Sequence, residues 1–192
     1  MGVAIRMPLP RLFTLEEYLV IERQAATKSE FHQGQILAMA GGLPDHSLIA
    51  TNICIGFGRR LAGGPCRVYN IDLRTAAANG EASYYADVVV VCGELKLHGP
   101  HRDIISNPAI VVEVLSRYTA RYDRVTKVPM YQRTPSVREI LLVSQDRARV
   151  DQISRREDGW KTVAHTGLGA VIEFSNPKFI LPLSDIYANV DV

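Results

Sequence analysis

The sequence predicts one α/β (α+β) domain in which a mixed central β-sheet is flanked by helices. Three observations lead there. The chain has 192 residues, the size of a single domain with a core of its own. Helical and strand periodicities alternate along it. Two short β-branched runs, Val88–Val91 and Ile110–Leu115, read as central strands buried on both faces. Hydrophobic residues make up 47% and charged residues 22%, which excludes disorder, collagen-like repeats and coiled coil. The longest apolar run, Ala86 to Cys92 with Asp87 inside it, is far short of a membrane span. No basic-then-apolar leader is visible, and Arg6 stands where a myristoylation signal needs Ser or Thr. No membrane partner is expected.

Residues 1–12 read as an irregular lead-in and 13–192 as the domain. Thr14-Leu15-Glu16-Glu17 has capping-box spacing, which predicts a helix to about Gln24. Ser29 to Ala40 is extended and turns at Gly34. Gly41-Gly42-Leu43-Pro44 breaks the chain, and Asp45 is placed to cap a second helix. In that helix Ile49, Ile53, Phe57 and Leu61 recur every four residues as one buried stripe, ending near Gly63-Gly64. Arg67–Thr75 and Tyr84–Cys92 form a hairpin whose long tip turns at Asn79-Gly80. His98–Pro108 reads as a polar loop. A basic helical piece follows the Ile110–Leu115 strand and stops near Pro129, since proline is unfavourable within a helix. Short strands at Glu139–Val143, Val150–Ser154 and Trp160–His165 come next, with Trp160 in the core. A short helix follows Leu183.

Cys54, Cys66 and Cys92 are odd in number and form no CxxC pair, so neither a disulfide framework nor a zinc site is supported. A reduced, cytoplasmic protein is expected. Gly56-Phe57-Gly58 lies within a helical stripe and is no dinucleotide loop, so no organic cofactor is implied. Net charge is only +2, too small to demand a polyanionic partner. Its distribution is more informative. From Arg117 to Arg133 the cations Arg117, Arg121, Arg124, Lys127 and Arg133 face a single acid, Asp123.

Two acids fall where strands are apolar. Glu113 interrupts Ile110–Leu115, and Asp87 opens Val88–Val91. Burying an unpaired carboxylate costs several kcal/mol, about 3–5 when a partner is lost. Three explanations stand. Both acids lie at strand ends in solvent; or they pair with cations of the basic segment; or they hold a hard divalent cation through oxygen ligands. Arg117, Arg121, Arg124 and Lys127 are spaced by four, three and three, so a helix would project all four from one face. Such a face is either solvated or contacts a polyanion backbone, with Tyr118, Tyr122 and Tyr131 interleaved for stacking or packing. Acids, lysine and basic face together describe a metal-dependent phosphodiesterase.

The order of motifs resembles a family. Phe13-Thr14-Leu15-Glu16-Glu17-Tyr18, Glu30-Phe31-His32-Gln33-Gly34-Gln35-Ile36, His46, Asp72-Leu73-Arg74, Tyr85-Ala86-Asp87-Val88, Glu113-Val114-Leu115-Ser116 and Tyr122-Asp123-Arg124 through Lys127 are similar to the Uma-two family. That is a bacterial group of endonucleases in the PD-(D/E)XK, restriction-endonuclease-like superfamily. The resemblance runs from about Phe13 to Tyr187. It implies a restriction-endonuclease-like fold with Mg²⁺ (or Mn²⁺) at the sheet's edge. By position it makes Asp87 and Glu113 the metal ligands, and Lys127 the lysine moved from the Leu115 position to the following helix. Glu30 and His46 match further polar positions of the pocket, His46 either touching phosphate or orienting Glu30. Asp72 matches more loosely, and Ala86 replaces the proline of the family motif.

The expected activity is a Mg²⁺-dependent endodeoxyribonuclease hydrolysing DNA phosphodiester bonds with a metal-activated water. Asp87, Glu113, Lys127, Glu30 and His46 are its candidate catalytic residues, and Arg117, Arg121 and Arg124 its DNA contacts. The alternative is a catalytically weak or inactive module of the same fold that binds nucleic acid or protein. A third class is an assembly protein whose acids form ion pairs. A homodimer follows by analogy from the two strands of a duplex.

Overall fold

The computed structural model describes residues 11–39 and 41–192; residues 1–10 of the expected lead-in, and Ala40, lie outside it. Thr14 caps helix α1 (Leu15–Glu22) with the reciprocal bonds of a capping box, its hydroxyl accepting from the Glu17 N–H while Glu17 accepts from the Thr14 N–H. Strands β1 (Ser29–His32) and β2 (Gln35–Ala38) follow. They turn through Gln33 (φ 45°) and Gly34 (φ 87°), the left-handed pair that a two-residue hairpin needs. Helix α2 (Pro44–Leu61) begins one residue before Asp45. Its cap is Leu43, which makes no side-chain bond, and Pro44 supplies the fixed φ of a first helical position. Asp45 therefore lies inside the first turn. The Ile49, Ile53, Phe57, Leu61 stripe is buried as its spacing requires.

The predicted hairpin bends between two sheets. β3 (Cys66–Asn70) pairs with β6 (Val88–Cys92), while β4 (Arg74–Ala77) and β5 (Ala82–Tyr84) pair across the Asn79-Gly80 turn. A two-residue strand, β7 (Ile104–Ile105), is buried within the segment expected to be a polar loop. β8 (Ile110–Leu115), β9 (Glu139–Ser144), β10 (Arg149–Arg156) and β11 (Gly159–Thr166) complete the main sheet. Strands β12 (Val171–Ser175) and β13 (Lys178–Pro182) form a hairpin that the sequence reading missed, and α5 (Leu183–Ile186) follows.

The six-stranded sheet has the order β11-β10-β9-β8-β6-β3, with β8 and β9 parallel. A second sheet runs β2-β1-β5-β4-β7. Alternation along β6 and β8 sends Val88, Val90, Ile110, Val112 and Val114 to the core under α2, and Val89, Val91 and Val111 to the opposite core. This is a mixed-sheet fold flanked by helices, as predicted.

Two expectations need correction here. Cys66 and Cys92 are directly opposite one another on β3 and β6 and are joined as a disulfide, leaving Cys54 free. Cross-strand pairing needs no CxxC spacing, so the odd count concealed it. Trp160 is only half-buried, at the sheet edge, under the Arg155 guanidinium at 4.5 Å.

Candidate active site

Extending the antiparallel register one step past Val88 and Val112 sets Asp87 opposite Glu113, on one face of the sheet. Both are buried. Asp87 is held at each oxygen: Oδ2 accepts from the Val114 N–H at 2.7 Å, and Oδ1 lies 3.0 Å from His46 Nε2. His46 comes from the first turn of α2, so the helix that covers one face of the sheet reaches the acid at its end. The bond to Asp87 raises the His46 pKa above its ordinary value despite burial. His46 thus orients Asp87; the structure draws no bond from it to Glu30.

The segment after β8 is α3 (Ala120–Tyr122), a π-helical turn (Asp123–Lys127) and α4 (Val128–Gln132) in one continuous rod. The rod does not stop at Pro129. In the widened turn the Val128 N–H bonds the Asp123 carbonyl five residues back. That wider spacing, ending where the proline begins, relieves the ring clash with the preceding turn. Such bulges also rotate the residues that follow them. Lys127 is buried, and its ammonium is 2.8 Å from Glu30 Oε1, 3.3 Å from Glu113 Oε1 and 3.5 Å from Asp123 Oδ1. Leu115, where a superfamily lysine would stand, packs in the core. The lysine therefore does reach Glu113 from the next element.

Glu113 Oε1 also accepts from the Tyr131 hydroxyl at 2.6 Å, and Glu30 Oε1 from the Tyr85 N–H at 3.2 Å. The Tyr84 and Tyr122 rings flank the ammonium at 5.4 and 5.8 Å. Four buried carboxylates thus share one lysine and one histidine. Burial pushes the carboxyls of Glu113, Glu30 and Asp123 above the usual range, Glu113 farthest, with Lys127 pulling the other way. Burial alone would lower the Lys127 pKa, but Glu113, Glu30 and Asp123 outweigh it and hold the ammonium well above its ordinary value. The Tyr122 hydroxyl is buried here without a hydrogen-bond partner among the described residues, which leaves one donor for an occupant of the pocket.

This donor set fits a hard divalent cation by its chemistry: carboxylate oxygens in excess over cations, buried and close together. Among the described residues no three His, Cys, Asp or Glu side chains already stand as a ligand cluster; the Lys127 ammonium occupies the point where three of the acids converge.

A family model described as "Uma2: Putative restriction endonuclease" matches residues 15–181. The chain belongs to the Uma2 family. The chain is also similar to two uncharacterised Synechocystis sp. proteins. One, slr1290, is 36% identical over 152 residues, covering 79% of this chain and 78% of its own. The other, sll1609, is 32% identical over 169 residues, covering 88% and 96%. The fold is similar to the crystal structure of a "putative nuclease belonging to DUF820" from Anabaena variabilis. The TM-score is 0.72 at 16% identity, over 92% of this chain and 98% of that one. The restriction-endonuclease-like fold expected from the motifs is therefore the fold found, in a family of nuclease type.

Against this Uma2 frame the remaining candidates divide. Lys127 does not share a face with the arginines: it points inward while Arg117, Arg121 and Arg124 are exposed. Arg124 Nη1 is bound to Asp151 at 2.8 Å, so its charge is partly spoken for. Arg117 lies over the Tyr118 ring at 4.9 Å. Asp72 is outside the Uma2 pocket; it is exposed and pairs with Lys28, whose ammonium holds its carboxyl below the usual range. Two pocket residues were missed as candidates. Asp123, Lys127 and Tyr131 recur every four residues, and that inward spacing was the available signal.

Proposed function

We propose that the protein is a divalent-metal-dependent endonuclease acting on DNA. The observation that carries this reading is the convergence of Glu30, Glu113 and Asp123 within 3.5 Å of Lys127 Nζ, with Asp87 across the strand pair from Glu113. Asp87 and Glu113 would hold Mg²⁺, or Mn²⁺ in its place. Such an ion, when bound, lowers the pKa of water and neutralises charge on the phosphate. The chain's own residues do the rest. The Val114 N–H and His46 fix the Asp87 carboxylate, and Tyr131 fixes Glu113. The Lys127 ammonium supplies positive charge where negative charge grows on the reacting phosphate. Glu30 and Asp123 hold that ammonium in place.

One observation favours the second reading, a binding module with weak or lost cleavage. Both Asp87 oxygens and Glu113 Oε1 already have protein partners. A metal ion must compete with these, and a pocket closed by its own lysine and histidine could bind nucleic acid without cutting it. A homodimer belongs to the primary reading, because two-fold symmetry suits the two strands of a duplex.

Nicking of supercoiled plasmid in MgCl₂ or MnCl₂ separates the two. The endonuclease reading predicts nicking by the wild type, lost by about a hundredfold or more in Asp87→Asn, Glu113→Gln and Lys127→Met. Wild-type protein that binds plasmid but leaves it supercoiled in either metal would establish the module instead.

A further inference from the structure

A cleft of about 460 Å³ opens past the C-terminal end of β8, lined among others by Leu43, Leu115, Arg117, Arg124, Gln145 and Arg147. Chain connectivity ties it to the site. Leu115 follows Glu113 by two residues on β8, Arg124 adjoins Asp123, and Leu43 is the cap of the helix that carries His46. The opposite wall is the turn between β9 and β10, which the sequence reading did not connect with function. The size suits one nucleotide or a small ligand.

The chemistry of the lining is selective. Arg117 has no acid partner among the described ion pairs, and Arg147 has only Asp146, the one acid of the lining, at 4.0 Å and largely exposed. These two guanidiniums are available to an anion, whereas Arg124 is engaged by Asp151. At the cleft wall the Gln145 backbone N–H bonds the Leu115 carbonyl, which fixes the residue beside the end of β8. Its side-chain Oε1 is buried with no hydrogen-bond partner among the described residues. A buried acceptor without a donor is costly, so an occupant bringing an N–H or O–H gains there. Leu43, half-exposed at the cap of α2, offers apolar surface to the cleft. Phosphate-binding cations, an apolar wall and an unmet acceptor are the complement of a nucleotide.

We propose that this cleft seats the nucleotide next to the scissile phosphodiester, with Arg117 and Arg147 on its phosphate and Gln145 Oε1 accepting from its base or sugar. The inference rests on the nuclease reading and adds where the strand enters and what reads it. Arg121 lies outside this cleft lining.

The test is fluorescence anisotropy of labelled oligonucleotides with the full chain in EDTA, over a range of salt concentrations. Alongside the wild type stand Arg117→Ala/Arg147→Ala, Gln145→Leu and, as a charge control on α2, Arg59→Ala. The double variant should bind at least about tenfold more weakly, with a salt slope shallower by about two, since two phosphate contacts are gone. Arg59→Ala should match the wild type. Gln145→Leu should flatten the wild type's preferences among the four homo-oligomers while keeping its salt slope. A double variant that binds like the wild type overturns the cleft while the nuclease reading stands on plasmid nicking. A wild type that neither binds nor nicks DNA overturns both.

Discussion

Glu113 and Glu139 stand on the neighbouring parallel strands β8 and β9, Glu113 inside an apolar run and Glu139 opening one, and both carboxylates are buried. Their surroundings differ. Glu139 Oε2 accepts from the Ser154 hydroxyl at 2.5 Å and the Gln152 amide at 3.3 Å, neutral donors on the adjacent strand β10. Glu113 meets a lysine, a tyrosine and three further acids. Burial raises both carboxyls above the usual range. A buried acid in an otherwise apolar strand therefore does not by itself mark a functional site. Convergence of like charges does, because repulsion among them serves no structural purpose and persists only where something else offsets it.

The largest effect expected from breaking this contrast comes from Lys127→Met. It leaves Glu30, Glu113 and Asp123 without their shared cation, and denaturant unfolding at neutral pH should show a loss of about 3–5 kcal/mol. Much of that loss should return at acidic pH, where the acids can protonate.

Next come the two glutamates themselves. Glu139→Gln turns an amide N–H₂ toward donors and should lower stability by about 1–3 kcal/mol, leaving any nicking per folded molecule unaltered. Glu113→Gln should do the reverse, removing repulsion and leaving the metal-free protein equally or more stable while abolishing nicking. Equal stability losses in the two variants would make Glu113 a structural acid like its neighbour.

The pH dependence sharpens the same contrast. Glu30, Glu113 and Asp123 titrate above their ordinary values in the fold, so the folded chain retains protons that the unfolded chain has released. Their destabilising contribution is absent below the ordinary carboxylate range and grows as pH rises through the raised values. Asp103 behaves oppositely. Burial lifts its carboxyl, but Arg23 and Arg74 outweigh burial and hold it low. That stabilisation is present above 3.8 and lost as pH falls below it. Melting temperature without metal should therefore decline from about pH 5 toward neutrality, and decline less in Glu113→Gln.

The smallest effect is Arg124→Ala. The Arg124–Asp151 pair is partly exposed and Asp151 keeps Arg149 as a second partner, so chemical denaturation should register a change within about 1 kcal/mol.

Much of this contrast was legible in residue patterns. The Thr14–Glu17 capping box, the Ile49–Leu61 stripe and the acids in β-branched runs each act through near neighbours, so spacing reveals them. What escaped depends on contacts distant in the chain. Cys66 and Cys92 meet only because β3 and β6 pair, and β7 is recognised only once β4 lies beside it. The π-helical turn is a local register shift that periodicity reads as an ordinary helix. Lys127 lies inward, away from the arginines with which it was grouped. Asp123 was counted as a lone counter-charge, whereas its spacing of four to Lys127 and on to Tyr131 placed all three on the buried side.

The central claim is that the excess of carboxylates around Lys127 binds a divalent cation, and Mg²⁺ titration by calorimetry tests it most directly. The account predicts binding by the wild type with proton release, since the raised carboxyls must ionise to ligate, and its loss in Glu113→Gln. No Mg²⁺- or Mn²⁺-dependent heat at millimolar concentration, from wild-type protein shown to be folded, would contradict it.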